Sequence, residues 1–139
     1  MQTVDEYPLA AGMSKDGYER LSHLRYRLRC FIRVSEDLCR AHGLTPLQYQ
    51  LLLHIKGFPG REWATVGELA ERLQAKPHGV VALIDRCEKS ELVERKAARD
   101  DRRQVEIHLR AKGEHLLECL AALHQPELRQ LEDAFQPPA

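Results

Sequence analysis

The sequence has no long hydrophobic run. Its longest aliphatic stretch, Leu51-Leu52-Leu53, is far short of the roughly 20 residues a membrane-spanning helix needs. Aromatic residues make up only 6% of the chain, which argues against a large β-sandwich and against a stacking platform for single-stranded nucleic acid. Met1 to Gly12 carries Asp5, Glu6 and Pro8 and lacks a basic start followed by an apolar stretch. No signal peptide is therefore expected, and the cytoplasm is the expected location. The four cysteines, Cys30, Cys39, Cys87 and Cys119, contain no C-x-x-C pair, which excludes a zinc-finger pattern and a secreted disulfide framework. If Cys30 and Cys39 share a helix they lie about 13 Å apart along it and cannot bridge within one chain. The seven histidines show no H-x-x-x-H spacing, so neither a metal site nor a cofactor is expected. No nucleophile–base arrangement, glycine-rich phosphate loop or paired carboxylate motif is visible, and the chain is not expected to be an enzyme.

What is present is enough for one domain. The 139 residues are 43% hydrophobic and 30% charged, a composition that builds a core rather than a disordered chain. Net charge is zero, yet it is unevenly spread. From Arg72 to Lys112 eleven basic residues face seven acidic ones, while from Gly113 to Ala139 a single base, Arg129, faces five acids. A neutral protein of this kind can still present a locally positive face to phosphates.

The hydrophobic periodicity gives the order of elements. Ser14 to Ala41 reads as one long helix, with Leu21, Leu24, Leu28, Phe31, Ser35 and Leu38 on a narrow stripe. Gly43 stops it. Thr45-Pro46-Leu47-Gln48 is a helix start with Thr as N-cap, Pro in the first position and Gln closing a capping box. That second helix runs to about Lys56 and ends in Gly57-Phe58-Pro59-Gly60. Thr65-Val66-Gly67-Glu68 is a second capping box, opening a short helix to Arg72 or Leu73. Pro77 opens a fourth helix that buries Val80, Leu83, Ile84 and Cys87. Two strands, Leu92–Lys96 and Gln104–Leu109, flank a charged tip over residues 97–103, and Val105, Ile107 and Leu109 face one way. From Ala111 the chain is helical again, with Leu116, Leu117, Leu120, Leu123, Leu128, Leu131 and Phe135 on one stripe. Pro126 is expected to break or kink that helix, and Pro137-Pro138 to end the order.

The fold class is thus mainly α with a small β-wing. A winged helix-turn-helix over residues 45–110 is flanked by helices over 14–42 and 111–135, in a single unit spanning 1–139. The chemistry suits double-stranded DNA. The face of the fourth helix opposite its buried residues offers His78, Gly79, Ala82 and Arg86, with Lys76 at its N-terminus. Small residues there allow a close approach to the groove, and the helix start favours a phosphate. The hairpin tip carries Arg99, Arg102 and Arg103, suited to a minor groove and its flanking phosphates. Asp101, beside them, is expected to orient these arginines through an ion pair.

These residues resemble the multiple-antibiotic-resistance regulator (MarR) family. The resemblance lies in Leu44-Thr45-Pro46-Leu47-Gln48-Tyr49, Glu68-Leu69-Ala70-Glu71-Arg72-Leu73, Leu83-Ile84-Asp85-Arg86, Leu92-Val93-Glu94-Arg95 and Asp101-Arg102-Arg103, followed by Leu109 and Lys112-Gly113. It runs in register from about Leu21 to Leu131. The resemblance implies a homodimeric winged-helix transcription factor on a palindromic operator, usually a repressor released by a small molecule, here aromatic or phenolic. It implies that the end helices intertwine as dimerisation helices, and that Asp101 and Arg103 hold the D-x-R positions of the wing, with Arg103 in the minor groove. By the same analogy Tyr26, Cys30, Phe31, Tyr49 and Leu53 are the candidates for an effector pocket. The sequence departs from the family at Lys76-Pro77-His78-Gly79, where Ser or Thr usually opens the fourth helix, at Glu91 in place of a glycine, and at Arg110 in place of a threonine.

Other readings of the same scaffold are a thiol or zinc sensor and a module that docks protein. For the first, Arg29 flanks Cys30 and Arg27 and Arg33 lie a turn away, an arrangement that lowers a thiol pKa. His42, His54 and His115 are the histidines an intertwined dimer brings toward it. Cys87 and Cys119 are read as packing residues.

Overall fold

The computed structural model describes residues 12–101 and 103–136. Arg102, the arm before Gly12 and the Pro137-Pro138 end lie outside the described residues. The element order is α1 (Lys15–Ala41), α2 (Pro46–Lys56), β1 (Trp63–Ala64), α3 (Val66–Leu73), α4 (Pro77–Lys89), β2 (Val93–Ala97), β3 (Val105–Leu109) and α5 (Ala111–Phe135). Mainly helical, with one small antiparallel sheet, it is the winged arrangement expected of the sequence.

Local signals set the helix starts. Ser14 caps α1 by accepting the Gly17 N–H, and both threonine boxes close: Thr45 with Gln48 ahead of α2, Thr65 with Glu68 ahead of α3. Each box satisfies two of the four N–H groups that a helix start leaves without partners. Helices α3 and α4 both end in a residue or following position of left-handed backbone, Gln74 at φ 51° and Glu91 at φ 62°.

The sheet has strand order β1-β3-β2, with Val93 opposite Leu109 and Ala97 opposite Val105 in the hairpin. The two-residue β1 was not anticipated; it pairs only with the far β3, Trp63 opposite His108 and Ala64 opposite Ile107. Of the alternating β3 residues, Ile107 is fully buried and Leu109 half-buried, while Val105 emerges at the wing end.

One core joins the pieces: Leu51, Leu52 and Ile55 of α2, Leu69 of α3, Val80, Leu83, Ile84 and Cys87 of α4, Leu92, Val93, Ile107, Leu117 and Leu120. Each such side chain contributes about 1.5–3 kcal/mol by leaving water. The long helices α1 and α5 pack on each other, and the partly buried Arg27 of α1 bonds Glu127 of α5 at 2.6 Å. Pro126 does not break α5, which continues through it from Ala111 to Phe135. The residues around it explain why: Leu120 and His124 before it are buried and Glu127 after it is held by Arg27, so packing on α1 outweighs the lost backbone bond.

No helix among the described residues is long and apolar enough to cross a membrane.

Candidate nucleic-acid interface and effector cavity

Helix α4 buries Val80, Leu83, Ile84 and Cys87. A helix with one face so committed must turn the other to solvent, and His78, Gly79, Ala82 and Arg86 are all exposed there. Lys76 is the N-cap, with no side-chain hydrogen bond to the helix start, and Pro77 follows in the first turn. Val81, 39% exposed, Asp85 and Lys89 extend this surface. Counting helical turns from the buried residues would have placed them there.

The wing is attached to this helix by charge. From β2, Arg95 bonds Asp85 of α4 at 2.8 Å and also pairs with Glu88. Behind it Lys112 of α5 donates to the Ser90 carbonyl at 3.0 Å. These bonds link the stalk of the hairpin to the exposed helix. Arg95 is a positioning residue whose role the sequence does not reveal, since there it stands only as part of a motif.

At the hairpin tip Arg99 and Arg103 are exposed. Asp101 folds the turn: its Oδ1 accepts the Arg103 N–H at 2.9 Å, and its carbonyl accepts the Gln104 N–H at 3.0 Å. Among the described residues Asp101 makes no ion pair. A carboxylate that folds the turn fixes where Arg103 leaves the chain.

A cavity of about 500 Å³ opens between α1, α2 and α5. Of the candidate effector-pocket residues, Phe31, Tyr49 and Leu53 line it and Tyr26 and Cys30 do not. Tyr26 is 61% exposed and sits at a shallow depression near the start of α1. Helical phase separates the two groups: Phe31, Ile32, Ser35 and Glu36 share the cavity face, and Tyr26 and Cys30 lie about 150–170° around the helix from it at 100° per residue.

The polar centre of the cavity was missed. His124, only 5% exposed, stacks on Tyr49 with ring centres 4.7 Å apart. Its Nδ1 is 2.6 Å from the Leu120 carbonyl and its Nε2 2.8 Å from the Ser35 hydroxyl. A carbonyl only accepts, so Nδ1 carries the proton, and in the neutral ring Nε2 accepts from Ser35. The available signal was a histidine falling on the buried stripe of α5, four residues after Leu120. His54 also lines the cavity; burial, and secondarily the charge of Arg72, hold it below the usual histidine range.

Cysteine chemistry divides by burial. Cys87 is fully buried and desolvation pushes its thiol up to about 11; burial also raises that of Cys39. Both are packing residues, since a thiol held protonated is a poor nucleophile. Cys30 and Cys119 are half-buried, Cys119 with its sulfur 3.8 Å from His115 Nε2.

Residues 42–104, from the end of α1 to the wing, match the model of the MarR family. The helix-turn-helix-type transcriptional regulator YsmB of Bacillus subtilis is 30% identical over 118 residues, which cover 81% of this chain and 75% of YsmB. Among solved structures, a MarR family protein from Bacillus stearothermophilus superposes with a TM-score of 0.73 at 25% identity, over 90% of this chain and 86% of that one. A cysteine-to-serine mutant of MarR from E. coli, complexed with operator DNA, gives 0.66 at 22% identity, over 85% and 81%. The relatives are transcriptional regulators and not enzymes, and the chain belongs to the MarR family of transcriptional regulators.

Proposed function

We propose that this regulator acts as a homodimer that binds a palindromic operator in double-stranded DNA and represses transcription until a small aromatic molecule enters the cavity of each subunit. The observation that carries the reading is the exposed α4 surface tied by Arg95 to a wing whose Arg99 and Arg103 are exposed. His78, Ala82 and Arg86 are assigned to base edges in the major groove, Lys76 and Gly79 to the phosphate at the helix start, and Arg103 to the minor groove with Arg99 and Arg102 beside it. Asp101 orients the turn. Support for DNA as the partner comes from the shared fold of the E. coli protein seen on its operator.

Dimerisation is assigned to α1 and α5. Tyr18, Leu21, Ile32, Leu123 and Phe135 on these two helices are all exposed, an apolar surface that a single winged domain leaves uncovered and that a second copy covers. Phe31, Tyr49 and Leu53, with Ser35 and His124, are assigned to the effector.

The test is fluorescence anisotropy on the DNA upstream of the coding region, at two salt concentrations. Saturable binding that weakens steeply with salt supports the reading, because each phosphate contact releases counterions. Absence of binding to that DNA and to any genomic fragment selected by the protein overturns it.

A further inference from the structure

We infer that the ligand of the α1–α2–α5 cavity is a flat aromatic cation, not an aromatic acid; this rests on the effector reading above and names the ligand class. The lining carries one aromatic cluster: Tyr49 and His124 stack on each other, 9° from parallel with ring centres 4.7 Å apart, and Phe31 is tilted against His124 with ring centres 6.1 Å apart. Stacked π-faces of this kind attract a cation that has shed water. The charge is what discriminates. Among the described residues no lysine or arginine lines the cavity, and its one formally charged lining residue is Glu36.

The nearest cation to that carboxylate, Arg40, stays outside the lining and reaches Glu36 at 3.5 Å while also approaching Asp37 at 3.7 Å. Glu36 is therefore only loosely neutralised. His54 does not supply the missing charge, since burial, and secondarily the charge of Arg72, hold it below the usual histidine range. A carboxylate entering here gives up its hydration and meets no fixed positive charge, which is the costly case for burial. An amidinium or protonated amine meets Glu36 at one edge and the aromatic side chains of Phe31 and Tyr49 in the lining. Ser35, whose hydroxyl donates to His124 Nε2 at 2.8 Å, keeps its oxygen lone pairs to accept an N–H of the ligand.

The experiment uses three probes of one shape and different charge, 2-naphthamidine, 2-naphthamide and 2-naphthoate, titrated calorimetrically into the full chain without DNA. The expected order is amidine, amide, naphthoate, with about tenfold between the first and last, the effect of one partly exposed carboxylate attracting one ion and repelling the other. E36Q should bring the three affinities together, and raising salt should narrow the wild-type gap, a check that stands even if the variant folds poorly. L53W, which fills the mouth of the cavity, should abolish binding of all three.

Naphthoate binding as tightly as the amidine, or a preference untouched by E36Q, overturns the charge assignment while leaving an effector cavity in place. Failure of all three probes to bind overturns the cavity as a ligand site and the effector part of the proposed function with it. Operator binding, measured without ligand, remains a separate result.

Discussion

Nη2 of Arg95 lies 2.8 Å from Oδ1 of Asp85, and this contact joins the wing to the helix that precedes it. The same guanidinium pairs with Glu88 one turn further along α4. One planar fork gripping two carboxylates on successive turns fixes both the tilt and the azimuth of β2 against α4.

Arg95→Ala should therefore lower operator affinity, by loosening the wing and by releasing the Asp85 carboxylate on the exposed face of α4. The pair is partly exposed, 31% on Arg95 and 55% on Asp85, so the stability lost should be only about 0.5–1 kcal/mol. Arg95→Lys, a point charge without the fork, should recover less than half of the affinity. Anisotropy titrations beside thermal melts check this. Unchanged DNA affinity in Arg95→Ala would show that the wing holds its place without the tie.

Arg103→Ala should weaken operator binding by about 1–3 kcal/mol and reduce the salt slope by about one, with an unchanged melting temperature, since Arg103 is exposed. Asp101→Ala should give a smaller loss, because the turn loses the bond to the Arg103 N–H but keeps the arginine. If Asp101→Ala proves worse than Arg103→Ala, the aspartate acts on DNA-bound arginines directly and not through the turn.

The elements that the sequence foretold are those whose cause is local. Thr45 with Gln48 and Thr65 with Glu68 close their boxes within four residues, and the buried face of α4 repeats at helical spacing. What escaped depends on distant partners. The two residues of β1 become a strand only because β3 lies beside them. Pro126 stays helical because α1 holds both sides of it through Glu127 and the buried His124. At the cavity, family analogy points to Phe31, Tyr49 and Leu53, which line it, whereas helical phase carries Tyr26 and Cys30 to the other side of α1. His124 looks ordinary in the sequence. Its role comes from Ser35, eighty-nine residues earlier, meeting its ring.

Glu91 should be replaceable by glycine with a gain in stability. It occupies the left-handed position after α4, φ 62°, with the Leu92 N–H bonded back to the Cys87 carbonyl at 2.9 Å. A side chain in that region costs about 1 kcal/mol relative to glycine, so Glu91→Gly should raise the denaturation midpoint by a corresponding amount. Gly113 is the converse case. A Cβ there would stand 2.2 Å from the Leu92 carbonyl oxygen, which already accepts the Arg110 N–H at 2.9 Å. Gly113→Ala should destabilise by about 1–3 kcal/mol by forcing α5 off the hairpin. A neutral Gly113→Ala, measured by denaturant titration, would contradict so close a packing of α5.

His54 should make the fold acid-sensitive. Burial, then the charge of Arg72, depress its pKa from the usual 6.5, so in the folded chain it stays neutral at a pH where the unfolded chain has begun to protonate. The unfolded state then binds more protons, and stability rises with pH through that interval. The contribution is complete above about 6.5, is lost progressively as pH falls below it, and stops changing once pH is under the folded value. His54→Gln removes the titrating group while keeping a polar side chain at the cavity wall. Denaturant midpoints measured between about pH 7.5 and pH 5 should fall less steeply for the variant than for the wild type. Equal slopes would mean that His54 is solvated as well in the folded chain as in the unfolded one. A steeper slope in the variant would mean that folding raises its pKa, and that the ring carries the proton in the cavity.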